Sequence, residues 1–119
     1  MSIMESEKYV GVHVLVNVYD VPNEDLLVYL SNGLPILKDI VSKLQLNVVS
    51  ETGFQFSPIG YSYAFVLSES HFTIHTYPEY KSCYIDVFCC NSEFNPETTV
   101  EIIKNAFNTT NVKYQVVRR

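Results

Sequence analysis

Six stretches of this chain read as β-strands and only two as helices, and their order leaves few folds open. Val10 to Val21 alternates apolar and polar side chains in part, and its valines and tyrosine favour extended backbone. Leu46 to Phe56 is a second strand. Gly60 to Ser68 is a third, apolar on both faces around Ala64, Phe65, Val66 and Leu67. Phe72 to Thr76 is a fourth, stopped by Pro78. Cys83 to Cys90 and Val112 to Val117 complete the set. Between the first two strands, Asn23 offers a helix N-cap with Glu24 and Asp25 in the first turn. Leu26, Leu27, Tyr29, Leu30, Leu34, Leu37, Ile40, Val41 and Leu44 then recur at helical spacing. Pro35, with Gly33 before it, is expected to break or kink this helix near its middle. Asn95-Pro96-Glu97 starts the second helix, with Val100, Ile103, Ala106 and Phe107 on one face.

The order β-α-β-β-β-β-α-β predicts an α+β fold: a two-layer sandwich, with an antiparallel sheet and two helices packed on one face. The other face carries apolar and tyrosine side chains, and a sheet-to-sheet or edge-to-edge dimer is its expected cover. A length of 119 residues gives room for a single domain, residues 1–119.

Charge and composition narrow the function classes. A net charge of −5 argues against nucleic acid as a partner, since phosphate contacts need clustered Lys and Arg. The only adjacent basic pair is Arg118-Arg119. No run of about 18 apolar residues is present, so no membrane span is expected. The start, Met1 to Lys8, lacks the basic-then-apolar pattern of a signal peptide, which makes a cytoplasmic location the expectation. Cys83, Cys89 and Cys90 are too few and too close for a disulfide framework. Adjacent Cys89 and Cys90 point to opposite faces of a strand, so one belongs to the core and the other is presented elsewhere. His71 and His75 share a strand face, but no Cys-x-x-Cys or His-Glu-x-x-His spacing supports a metal, and none is expected.

The chemistry-bearing residues concentrate in Leu67-Ser68-Glu69-Ser70-His71-Phe72-Thr73-Ile74-His75-Thr76-Tyr77-Pro78-Glu79-Tyr80. Ser70 is a candidate nucleophile toward the Glu69 carbonyl. His75 is the best candidate base, because only imidazole among the nearby groups titrates close to neutral pH. Cys90 is the candidate acid, a thiol that can return a proton to carbon. Ser62, Glu79 and Phe56 complete the candidate set.

These blocks resemble the small prokaryotic S-adenosylmethionine decarboxylases. Gly11-Val12-His13 is similar to the family's start, and Phe56-Ser57-Pro58-Ile59-Gly60-Tyr61-Ser62 to its Phe-x-Pro-x-Gly-x-Ser stretch. Ser68-Glu69-Ser70-His71 with Ile74-His75-Thr76 resembles its cleavage block, and Asp86-Val87-Phe88-Cys89-Cys90 its Asp-x-Phe-Thr-Cys. Tyr77 stands where the family usually has Trp, Cys89 where it has Thr, and Asn91 where Gly is usual.

The resemblance implies autocatalytic cleavage between Glu69 and Ser70, into a β chain of residues 1–69 and an α chain of residues 70–119. Ser70 would become a pyruvoyl group, which forms a Schiff base with the substrate amine and accepts the electrons left by carbon dioxide. Ser62 and His75 match the processing residues and Cys90 the proton donor. Phe56 matches the residue that stacks on adenine, Glu79 the acid that holds the ribose hydroxyls, and Tyr77 the pocket wall. The implied product is the aminopropyl donor for spermidine synthesis, and the implied assembly a homodimer of processed protomers. A straight strand from Ser62 to Ser70 would hold its ends roughly 26 Å apart, so Ser62 and His75 are expected to serve the Ser70 and Cys90 of the partner chain, in composite sites. Two alternatives stay open: a pyruvoyl-dependent decarboxylase of arginine or ornithine on the same scaffold, and a non-catalytic regulatory subunit.

Overall fold

The computed structural model describes residues 9–119; the expectation drawn from Met1 to Lys8 lies outside them. All six strands form one sheet: β1 (Val12–Val18), β2 (Val48–Gln55), β3 (Tyr61–Leu67), β4 (Ser70–Tyr77), β5 (Ser82–Cys89) and β6 (Val112–Arg118). They lie in the order β2-β3-β4-β5-β1-β6, with every neighbouring pair antiparallel. The helices are α1 (Asp25–Val28), α2 (Leu30–Lys43) and α3 (Pro96–Phe107), with a 3-10 turn at Pro78–Tyr80. The two-layer α+β sandwich expected from the element order is the one found.

The core follows from strand alternation. Val14, Val16 and Val18 of β1, Phe72 and Ile74 of β4, and Ile85 and Val87 of β5 are buried on one face, against Leu37, Ile40 and Val41 of α2 and Val100, Ile103 and Phe107 of α3. Residues of opposite parity, including Leu15, Ser62, Thr73, His75, Tyr84 and Asp86, line a second face that no helix covers. Cys89 is buried on the helical side and Cys90 only half-buried, as alternation requires. Asn95 caps α3, its Oδ1 accepting from Thr98 N at 2.9 Å, with Pro96 at the first helical position.

Two expectations need correction. The first long helix does not break at Pro35, which sits inside α2; it breaks at Tyr29, whose backbone is extended (φ −120°, ψ 130°). The sheet makes that break favourable by taking up the backbone groups it frees. Tyr61 Oη donates to Leu26 O (2.6 Å), Thr76 Oγ1 to Leu27 O (2.8 Å), and Gln55 Nε2 to Val28 O (3.0 Å), while Gln55 Oε1 accepts from Leu30 N (2.7 Å). Second, Ser62 to Ser70 is not one straight strand. Leu67 pairs with Ser70 across a two-residue turn at Ser68-Glu69, so β3 and β4 form a hairpin.

Thr76 is the buried hinge of this arrangement, because its hydroxyl also accepts from Tyr61 N at 2.9 Å. Thr76→Val keeps the shape and removes both bonds. It is expected to destabilise the fold by about 1–3 kcal/mol, read as a fall in denaturant midpoint at unchanged slope. An unchanged midpoint would show that the α1 carbonyls find other partners.

Candidate active site

Register sorts the candidate residues into two clusters at opposite ends of β4: Ser62 and His75 lie on the helix-free face, while Ser70, paired with the core residue Leu67, has the parity of the helical face at the strand's other end. At one end, β5 runs antiparallel to β4 with His71 opposite Phe88, which brings Cys90 beside the Ser68-Glu69 turn. Cys90 Sγ donates to Glu69 O at 3.0 Å, and Cys90 N donates to Ser70 Oγ at 3.2 Å. The carbonyl of the Glu69–Ser70 peptide and the neighbouring hydroxyl are thus both held by one residue. Glu69 itself is left-handed (φ 60°), a conformation that turn chemistry reserves mainly for Gly or Asn and that costs a longer side chain about 1–2 kcal/mol.

At the other end, Ser62 and His75 face each other across β3 and β4, with Ser62 Oγ 2.6 Å from His75 Nδ1. The loop from Phe56 to Gly60 lies at this end: Phe56 N donates to Gly60 O at 2.7 Å, and Gly60 (φ 97°) is seated against Thr76 and Pro78. Phe56 is exposed and meets Phe54 edge-to-face at 5.1 Å. Glu79 is exposed in the 3-10 turn that follows Pro78. A depression of about 360 Å³ beside Ser62 and His75 is lined by Thr52, Phe54, Ala64 and Thr73. On the other side of His75, Tyr19, Tyr77, Tyr80, Ser82 and Tyr84 line one of about 580 Å³, in which the Tyr77 and Tyr84 rings lie 5.0 Å apart.

The two clusters do not meet within one chain. Five residues of β4 separate Ser70 from His75, roughly 17 Å of extended backbone. The 26 Å span of a straight strand is shortened by the hairpin, yet an imidazole at position 75 still cannot touch its own Ser70. Between the clusters, His13 packs edge-on against His71 (5.8 Å) and Phe88 (6.1 Å), the His71 and Phe88 rings lie tilted at 6.0 Å, and the Arg119 guanidinium lies over Phe88 at 5.5 Å. Burial, then the neighbouring His13, lowers the His71 pKa against the opposing pull of Asp86, which favours the neutral imidazole. His13 Nε2 is buried without a partner.

Among the described residues, no three of His, Cys, Asp and Glu gather into a cluster that could hold a metal ion, and no helix is long and apolar enough to cross a membrane. Sequence reasoning missed the pocket residues Tyr19 and Tyr84, because a tyrosine alternating in a strand carries no mark of function. Tyr84 has its pKa raised chiefly by Tyr19 beside it. Asn47, which holds Ser68, was missed because its partner is 21 residues away and nothing local marks that contact.

Comparison with known proteins agrees with this geometry. A family profile described as S-adenosylmethionine decarboxylase matches residues 12–119. The chain is similar to the S-adenosylmethionine decarboxylase proenzyme of Thermodesulfovibrio yellowstonii, 36% identical over 82% of this chain and 71% of that one. The corresponding proenzyme of Hydrogenobaculum sp. is 32% identical over 94% of this chain and 83% of that one. The adenosylmethionine decarboxylase crystal structure from Aquifex aeolicus superposes with a TM-score of 0.84 at 27% identity, over 94% of this chain and 92% of that one. The chain belongs to the S-adenosylmethionine decarboxylase family.

Proposed function

We propose that this protein is made as a proenzyme, cleaves itself between Glu69 and Ser70, and then decarboxylates S-adenosylmethionine at sites shared by two copies of the chain. The observation that carries this reading is the grip of Cys90 on the scissile peptide: its thiol on the Glu69 carbonyl at 3.0 Å and its backbone N–H on Ser70 Oγ at 3.2 Å. The relatives' designation as proenzymes supports it.

Self-cleavage starts with attack of Ser70 Oγ on the Glu69 carbonyl carbon. The charge that develops on the carbonyl oxygen falls where the Cys90 thiol already donates, and the left-handed Glu69 raises the energy of the uncleaved turn. The C–N bond then breaks, the hydroxyl proton passes to the freed amine, and an ester joins Glu69 to Ser70. Removal of the Ser70 α-proton by a base expels the Glu69 carboxylate, and water replaces the nitrogen of the resulting enamine as ammonia. The residues present suit a pyruvoyl group at position 70: a serine ends up at the head of β4, a thiol lies beside it, and among the described residues no charged side chain hydrogen-bonds to either. Once formed, that group supplies the electron sink for loss of carbon dioxide from an α-amino acid. Cys90 is then placed to return the proton to carbon.

The base comes from the second copy. Phe54, Val66, Tyr84 and Val117 are large, exposed, and all on the helix-free face, where the orphaned His13 Nε2 also lies. A second copy laid on this face antiparallel to the first covers them and sets its Ser62–His75 pair against Ser70 and Cys90. The Ser62–His75 bond orients the imidazole for proton transfer. In each composite site Phe56 offers a face for adenine, Glu79 a carboxylate for the ribose hydroxyls, and Tyr77 a pocket wall. The product is the aminopropyl donor for spermidine synthesis, and a cytoplasmic setting suits a free-cysteine protein of this kind.

Intact mass of freshly purified protein tests the reading. Two fragments are expected, one ending at Glu69 and one beginning at position 70, the second lighter by one ammonia than a serine-started peptide. A single 13.6 kDa species that stays whole on long incubation would overturn it and favour a non-catalytic subunit.

A further inference from the structure

The turn that carries Glu69 is tied to the head of β2 by one side chain. Asn47 lies just before Val48, the residue that pairs with Leu67 at the end of the β2–β3 ladder. The ladder is irregular there, its register slipping between Val48 and Ser50. Beyond the last pair, Asn47 holds Ser68 at two points: its carbonyl accepts from Ser68 N at 3.2 Å, and its Nδ2 donates to Ser68 Oγ at 2.9 Å. Ser68 and Glu69 are the two residues of the turn, and Glu69 takes the strained left-handed conformation. A pocket of about 160 Å³, lined by Asn47, Leu67, Ser68, Ser70, Cys89 and Asn91, opens beside this turn. Hydrogen bonds therefore set the turn's position, Asn47 from the Ser68 side and Cys90 from the Glu69 carbonyl side.

We propose that Asn47 is a positioning residue for self-cleavage: through Ser68 it fixes the Ser68-Glu69 turn so that the Glu69 carbonyl stays between the Cys90 thiol and Ser70 Oγ. This rests on the cleavage reading above. Attack by a hydroxyl on the adjacent carbonyl is sensitive to small rotations of the peptide plane, because the carbon must face the oxygen while the carbonyl oxygen keeps its donor. With the side-chain bond gone, the Ser68 side of the turn keeps only the backbone bond to the Asn47 carbonyl and can pivot about it, and each swing takes the Glu69 carbonyl out of line. Asn47 touches no reacting atom; it acts on them through Ser68.

The test follows appearance of the 1–69 fragment by intact mass in the full chain, for wild type, Asn47→Ala, Ser68→Ala, the double variant and Asn47→Asp. Asn47→Ala is expected to slow cleavage about tenfold, which corresponds to about 1.4 kcal/mol in the barrier. Ser68→Ala should match it, and the double variant should be no slower than either, since both remove the same contact. Asn47→Asp should recover most of the rate, because Ser68 Oγ can then donate to the carboxylate. Hydroxylamine, which splits the ester, should release fragments from Asn47→Ala at the same reduced rate, placing the defect at ester formation. A structural role alone would instead lower the melting temperature, so each substitution is also made in the uncleavable Ser70→Ala chain, where no change is expected.

Equal cleavage rates for wild type and Asn47→Ala would overturn the proposal while leaving the cleavage reading intact. So would a slowing matched by a fall in melting temperature in the Ser70→Ala background, or losses that multiply in the double variant. A wild-type chain that never cleaves removes both readings together.

Discussion

A Ser70→Ala chain is expected to remain a single species of unprocessed mass and to lose decarboxylation by roughly a thousandfold or more. The substitution removes the hydroxyl that attacks the Glu69 carbonyl in the proposed cleavage, and water has no comparable hold on that carbon. It does little else. Ser70 Oγ accepts one hydrogen bond, from Cys90 N, and its loss at a half-buried site costs about 1 kcal/mol or less. The variant should therefore fold and melt close to an unprocessed wild-type chain. That makes the result interpretable, because loss of cleavage without loss of fold assigns the chemistry to the hydroxyl. Fragments at the 69–70 junction in this variant would mean that the peptide is cut by something other than its own serine, and the proposed origin of the prosthetic group would fall with that result.

Mixed dimers give the second large effect. His75→Ala chains alone should process very slowly, and Ser70→Ala chains not at all. When the two are combined in one dimer, one of the two sites receives Ser70 from the His75→Ala chain and His75 from the Ser70→Ala chain. That site is expected to process and to turn over substrate, at about half the activity of a wild-type dimer, while the other site lacks both groups. The 17 Å between Ser70 and His75 along β4 is the physical ground for this expectation, since proton transfer needs atoms within hydrogen-bond reach or one water apart. Labelling the two chains with different tags lets mass measurement ask which one is cut, and only the His75→Ala chain should be. If the mixed dimer is as inert as its parents, the sites are not shared, and the helix-free face would need another partner to bring a base to Ser70.

Much of the molecule was legible in the residue order. Partial alternation, apolar runs and β-favouring side chains between turn residues located the six strands, because these signals are local. The Asn95-Pro96 start of α3 was legible because capping is a contact between near neighbours. The break in the first helix was not. Pro35 carried the obvious local signal, yet α2 runs through it, at the loss of one intrahelical bond near the helix start. The chain bends at Tyr29 because Gln55, Tyr61 and Thr76, all distant in sequence, satisfy the carbonyls of Leu26, Leu27 and Val28.

The same division runs through the site. Residue order alone sets which chemical groups the protein owns: a Glu-Ser peptide, imidazoles, thiols, aromatic rings and carboxylates at recognisable spacings. It also determined that Cys89 and Cys90 serve opposite faces. Only the tertiary structure decided which of these groups meet. The Ser68-Glu69 hairpin turns β4 back along β3, so Ser62 is paired with His75 while Ser70 is delivered to Cys90 at the far end. Register across a sheet depends on the turn and on which side chains the helices bury, and both are properties of the assembled core. Residues close along the chain are therefore divided between the two ends of the β3–β4 hairpin, and in the proposed dimer a second copy brings them together.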